Sequence, residues 1–131
     1  MFKQIKTSTK NRETVTVLTR KFGLGAENVI ARIAIAYSLQ CEARFSPLDI
    51  QDAGGKEYSK NVLFGDLYPI YAALMCKHYN INLNDKDLPR YFKLHLDDGL
   101  ERIMNDVEDN PNLVGFDYLF DRIQIGLESL C

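Results

Sequence analysis

Arg20-Lys21-Phe22-Gly23-Leu24-Gly25-Ala26 is the stretch of this chain whose residue types and spacing could do chemistry. Two adjacent cations close one helical pattern, two glycines follow, and a second helical pattern opens directly after them. Glycine lets a ligand come close to the backbone. The unpaired N–H groups at a helix start carry partial positive charge, so a helix N-terminus beside Arg and Lys is a ready phosphate site. The same residues also describe a plain junction between two helices, with Gly as C-cap and the cations complementing the first helix's dipole. Lys3, Lys6, Lys10 and Arg12 lie upstream on the same basic stretch. With Arg20, Lys21, Gly23 and Gly25 they form the candidate DNA-binding set.

Other chemistry is hard to assemble. No Walker-type phosphate loop and no dinucleotide fingerprint is present. His78 and His95 fall in separate helical patterns, and neither has a Cys or Ser at a spacing that would suggest a nucleophile–base pair. His95, Asp98 and Glu101 could approach one helix face as metal ligands. A solvated acidic face carrying one surface His is the simpler expectation. His78, near a helix C-terminus, is favoured there as a cation by the helix dipole. Asp85 and Asp87 read as turn and cap residues. Cys41, Cys76 and Cys131 read as buried small apolar residues, too far apart for a zinc knuckle or a disulfide framework. No catalytic residue, metal site or cofactor is expected.

Charge is divided along the chain. Up to Arg44 there are eight Lys/Arg against three acids, a net of +5; from Phe45 onward there are eight against fifteen, a net of −7. A basic front on a small domain attracts polyanions, nucleic acid above all, whereas a solvated charged surface is the bland alternative. Arg32, alone on an apolar helical pattern, reads as a paired or snorkelling structural cation.

The elements that must position these residues are mainly helical. Phe2 to Thr7 is a short extended arm of poor alternation. Ser8 or Thr9 caps a helix to about Phe22, with Val15, Leu18 and Phe22 as its apolar stripe. Gly23 is its left-handed stop, and Gly25 the N-cap of a helix over roughly 26–40 that is apolar nearly all round. Such a helix must be buried on several sides, which points to self-association as a dimer or tetramer. Residues 44–65 are punctuated by Ser46-Pro47 and Ala53-Gly54-Gly55-Lys56, with a short strand or irregular loop over 56–64. Asp66 caps a helix with Pro69 in its first turn, carrying Ile70, Leu74, Tyr68, Tyr71 and Tyr79. Asp87 caps the next, to about Val107, with Tyr91, Leu94, Leu100 and Ile103 toward a core. Asn110-Pro111-Asn112 breaks it, and an amphipathic helix over about 116–130 follows.

At 131 residues the chain reads as one domain over 1–131, with a basic segment 1–44 and an acidic C-terminal helical extension 104–131. The fold class is mainly α, with a short N-terminal strand and a ribbon–helix–helix-like N-terminal third. A chain of this size buries roughly two-thirds of its unfolded surface. No stretch approaches the apolar length needed to cross a bilayer, and the basic start lacks the apolar region of a signal peptide. Free thiols fit a reducing cytoplasm.

Three segments together resemble the DndE family of bacterial DNA phosphorothioation systems. They are Gly23 to Leu39, including Asn28-Val29-Ile30-Ala31-Arg32 and Ala36-Tyr37-Ser38-Leu39; Val62-Leu63-Phe64-Gly65-Asp66-Leu67-Tyr68 with Tyr71-Ala72-Ala73-Leu74; and Tyr91-Phe92-Lys93-Leu94-His95-Leu96 with Gly99-Leu100. The resemblance implies a helical, self-assembling, non-catalytic protein that binds duplex DNA, with a liking for nicks. It also implies work beside a cysteine-desulfurase supply, a sulfurtransferase and an ATPase-like subunit. Lys60-Asn61 stands where relatives often carry Trp, and Asp97-Asp98 where they are often basic, which makes 94–99 a poor DNA face.

The leading reading is an accessory subunit that holds duplex or nicked DNA by backbone contacts. A ribbon–helix–helix-type transcriptional repressor, a pure protein-interaction subunit and a nuclease are the alternatives, in that order.

Overall fold

The computed structural model describes residues 3–110 together with Tyr118. Its elements run β1 (Gln4–Lys6), α1 (Thr9–Phe22), α2 (Glu27–Gln40), β2 (Glu57–Ser59), α3 (Lys60–Phe64), α4 (Tyr68–Tyr79) and α5 (Leu88–Asp109), with 3-10 turns at Pro47–Asp49 and Gly65–Leu67. The mainly helical class with a short N-terminal strand is what the sequence leads one to expect. The strand–helix–turn–helix order of the N-terminal third is also present. Here, however, β1 pairs antiparallel with β2 of the same chain, Ile5 opposite Tyr58, so the two-stranded sheet is completed internally.

Helix α1 begins and ends as its sequence requires. The Ser8 hydroxyl accepts from the Asn11 N–H at 3.2 Å. Gly23 closes the helix at φ 62°, a conformation glycine enters without steric cost. The Val15–Leu18–Phe22 stripe is buried. Helix α2 starts one residue later than expected: its N-cap is Ala26, extended and without a side-chain cap, because Gly25 at φ 81° still belongs to the turn. Its Ile30, Ala31, Ala34 and Ile35 are buried chiefly against α5, whose Phe92, Leu96, Leu100 and Ile103 complete the core. The 22-residue helix α5 lies along this face of α2. Ile33, Tyr37 and Leu39 are only partly buried at the edge of this core, and Ala36 is exposed.

Several local expectations are corrected. Asp66 sits in a 3-10 turn, and α4 begins at Tyr68 with Leu67 as N-cap and no side-chain cap bond. Ile70 and Leu74 point outward, 58% and 50% exposed, because α4 packs through Ala72, Met75 and its tyrosines against Phe64 and α5. Asp87 stands at the N-cap of α5 but makes no cap bond; its carboxylate holds Arg90 at 2.6 Å. Residues 56–64 hold both β2 and the short α3, which starts at a Ser59 cap. Residues 104–109 continue α5, where Val107 joins the core. The helix expected over about 116–130 lies outside the described residues apart from Tyr118. Among the described residues no helix is long and apolar enough to cross a membrane.

Candidate nucleic-acid interface

The α1–α2 turn presents what its residues suggested. Arg20 and Lys21 are exposed in the last turn of α1. A methyl placed on Gly23 or Gly25 would meet nothing within 4 Å, so the backbone there is open to approach. The N–H groups opening α2 have no side-chain cap. One acid, Glu27, lies in that first turn, and its carboxylate is engaged by the Thr16 hydroxyl at 2.7 Å and by Lys56 at 3.4 Å.

The remaining expected residues do not all converge. At about 100° per residue, Lys10 and Lys21 share one edge of the exposed face of α1, Arg12 lies on the other edge, and Arg20 stands midway between them. Lys3 and Lys6 sit on the arm. With Ile5 and Tyr58 facing inward, Lys6 faces outward opposite Glu57. Pairing with β2 brings two lysines that the sequence reading left out. Lys60 donates its backbone N–H to the Lys3 carbonyl at 3.0 Å, and Lys56 accompanies it at the other end of β2. Only the strand register brings these residues beside the arm; no local spacing shows it.

Ion pairing separates the two charge populations. The ion pairs between described residues engage Lys56, Arg90, Lys93 and Arg102. Among the described residues Lys3, Lys6, Lys10, Arg12 and Arg20 form none. Arg32 is structural, donating to the carbonyls of Leu63 and Val62. The α1 N-terminus is already filled by carboxylates: Asp97 accepts from the Ser8 N–H at 3.0 Å and Asp52 from the Thr9 N–H at 2.8 Å. These backbone and hydroxyl donors hold the Asp52 carboxyl below the usual range. Within residues 94–99, Leu94, His95, Leu96 and Gly99 are buried.

His95 is no surface residue, which overturns that expectation. It is fully buried and central to a hydrogen-bonded chain whose polarity is consistent throughout. The Phe45 N–H donates to the Tyr79 hydroxyl at 3.1 Å, and that hydroxyl to His95 Nε2 at 2.6 Å. His95 Nδ1 donates to Ser38 Oγ at 2.8 Å, and Ser38 to Asp98 Oδ2 at 2.7 Å, which also receives Arg102 Nε. Burial first, then the neighbouring His78, pulls His95 down to about 4, so its ring is neutral as this chain requires. Ser38, His95 and Asp98 are the residue types of a nucleophilic triad. Here, however, Ser38 lies between the other two, and it and His95 are sealed from solvent. His78 Nε2 donates to the Ala43 carbonyl at 2.6 Å. Of the cysteines read as buried, Cys41 is exposed, standing at the C-cap of α2 where the chain leaves the core. Cys76 is half-buried and Cys131 lies outside the described residues. Burial, then Asp85, pushes the Cys76 thiol up, away from the reactive thiolate.

Comparisons with known proteins agree with this architecture. The sequence matches the family model described as DNA sulphur modification protein DndE over residues 4–110. A crystal structure of DndE from Escherichia coli B7A, involved in DNA phosphorothioation modification, aligns with a TM-score of 0.63 at 21% identity, covering 79% of this chain and 98% of that one. A glycine-to-lysine double mutant of DndE, involved in DNA phosphorothioation, aligns with a TM-score of 0.65 at 22% identity over the same shares of the two chains. No curated protein matches the chain.

Proposed function

We propose that this chain, which belongs to the DndE family of DNA sulphur modification proteins, serves DNA phosphorothioation as a non-catalytic subunit that holds duplex or nicked DNA through backbone contacts. The observation that carries this reading is the α1–α2 turn. There Arg20 and Lys21, two open glycines and an uncapped helix start lie together. Such a surface holds phosphates without reading bases. A nick helps if it lowers the elastic cost of bending the duplex over the basic surface. Lys3, Lys6, Lys10 and Arg12 extend the contact, joined by Lys56 and Lys60. No cofactor is required.

Work in the cytoplasm beside the sulfurtransferase and ATPase-like subunits of the same system is part of this proposal, and so is self-association. The outward Leu67, Ile70 and Leu74 on and beside α4 are the apolar surface we assign to it, and Ile70→Asp should reduce the sedimenting mass. The repressor reading is disfavoured because the strand that would enter a groove has its partner within the chain.

The test is a gel shift on intact, nicked and gapped duplexes at two salt concentrations. Each phosphate contact contributes about −0.9 to the log–log salt slope, so Arg20→Glu with Lys21→Glu should flatten it by about 2 and cost at least about tenfold in affinity. The exposed pair Lys77→Glu with Lys86→Glu is the control. Loss of binding in the control with retention in the Arg20/Lys21 variant would refute the assignment.

A further inference from the structure

Of the ion pairs between described residues, one joins parts of the chain far apart in sequence: Lys56 Nζ stands 3.4 Å from Glu27 Oε1. The others lie along α5 or at its start. The pair sits at the seam between the α1–α2 turn and the sheet. Glu27 is the first residue of α2, whose opening N–H groups have no side-chain cap. Lys56 directly precedes β2, and the hydroxyl of Tyr58 in that strand donates to the Glu27 carbonyl at 3.4 Å. Cations of the turn lie on one side of the seam and lysines of the arm and β2 on the other, and an anion stands between them.

The two partners are held differently. The Lys56 backbone is fixed: its N–H donates to the Thr7 hydroxyl and its carbonyl accepts from the Thr7 N–H, both at 2.9 Å. A methyl on neighbouring Gly55 would run into the Ser8 carbonyl and the Thr7 hydroxyl, so this stretch is packed tight against the arm. The Lys56 side chain, by contrast, is 40% exposed and can swing to a new partner. Glu27 keeps a partner when Lys56 leaves, because the Thr16 hydroxyl donates to its other carboxylate oxygen at 2.7 Å. A carboxylate in the first turn of a helix gains from the dipole as a phosphate would. An ion pair this exposed is worth little, so a DNA phosphate can compete for the lysine.

We propose that Glu27 stands in for a phosphate on the DNA face and that Lys56 exchanges it for a DNA phosphate on binding, so that Glu27 sets how tightly the chain holds DNA. This rests on the DNA reading of the α1–α2 turn, and the experiment separates the two. A carbodiimide joins a carboxylate to an amine only when they touch. On the full chain without DNA, peptide mass spectrometry should find Glu27 linked to Lys56, and saturating duplex should suppress that link. In fluorescence anisotropy with a short labelled duplex at low salt, Glu27→Gln should bind roughly fivefold tighter than wild type, the upper effect of one exposed ion pair. The gain should fade as salt rises. Lys56→Met should flatten the log–log salt slope by about 0.9, one phosphate contact. It should also cost more affinity in the Glu27→Gln background than in wild type, because only there does binding break no ion pair. Glu13→Gln removes the same charge from the exposed side of α1 and is the control, its effect adding to that of Lys56→Met. A Lys56→Met slope equal to that of wild type, or a link that survives saturating DNA, would overturn the exchange and leave DNA binding by the turn intact. The wild-type link decides even if a variant misfolds. If no form binds DNA yet the link is present, the DNA reading fails and the exchange with it, while the Glu27–Lys56 pair stands.

Discussion

Replacing Gly99 by alanine would drive a methyl group into the backbone of α2. A Cβ on Gly99 would lie 2.7 Å from Ala34 Cα, and closer still to the Ala34 carbonyl carbon and oxygen. Carbon–carbon contacts are comfortable at about 3.5–4.0 Å, so the two helices must part by about 1 Å where they cross. A gap of that size forfeits up to about half of the dispersion attraction between facing atoms. The facing atoms are the fully buried Ile30, Ile35, Phe92, Leu96, Leu100 and Ile103. Alanine gains about 1 kcal/mol of helix propensity over glycine, which offsets part of the loss. Overpacking a tight core costs roughly 1–3 kcal/mol or more, and a rigid backbone partner puts this site at the upper end, about 3 kcal/mol net. For a chain of this length that corresponds to a fall in Tm of about 10 °C. Thermal unfolding followed by far-UV circular dichroism measures it. Gly54→Ala is the control. Its methyl would meet only the Thr9 hydroxyl at 2.9 Å and the Asp52 carboxylate at 3.3 Å, side-chain ends on an exposed loop, and should cost within about 1 kcal/mol. A Gly99→Ala protein that melts at or above the wild-type temperature would refute the close crossing of α2 and α5.

Stability should also fall with acidity in a window set by His95. Its folded value of about 4 lies below the ordinary 6.5, so the unfolded chain binds the extra proton. The contribution is complete above pH 6.5 and declines below it, by roughly 2 kcal/mol at pH 5 and roughly 3 kcal/mol once pH falls through 4. Carboxylates such as Asp52 act below that window, so a Tm that stays level between pH 7 and 5 would contradict the buried neutral imidazole. His95→Gln should flatten the profile whatever its own stability. Asp97→Ala should destabilise by roughly 3–5 kcal/mol, because it strands the buried Lys93, orphans Ser8 N–H and removes the shorter of the two Asn11 Nδ2 bonds. In chemical denaturation, adding Lys93→Met should restore part of that loss; a double variant less stable than Asp97→Ala alone would sink the buried-pair argument.

The sequence by itself determined what depends on short-range physics. Helical periodicity at Val15, Leu18 and Phe22, the Ser8 cap and the Gly23 stop are decided within a turn or two of backbone, and each could be read directly. The same holds for the cationic turn at Arg20–Gly25 and for the uneven charge along the chain. Arg32 could be recognised as structural because a lone cation on an apolar helix must find acceptors, which the Leu63 and Val62 carbonyls supply. What only the tertiary structure decided involves partners far apart in the chain. Asp97 accepts from the N–H of Ser8 at the start of a helix, 89 residues away, and Ser38 meets His95 across 57. Lys60 reaches the arm through a strand register that no local pattern encodes. Ile70 and Leu74 face outward because the interior beside α4 is filled by aromatics and α5. Local propensity fixes where helices start, stop and carry charge; which face each one buries depends on what else competes for the same interior, and that is settled only when all the helices pack together.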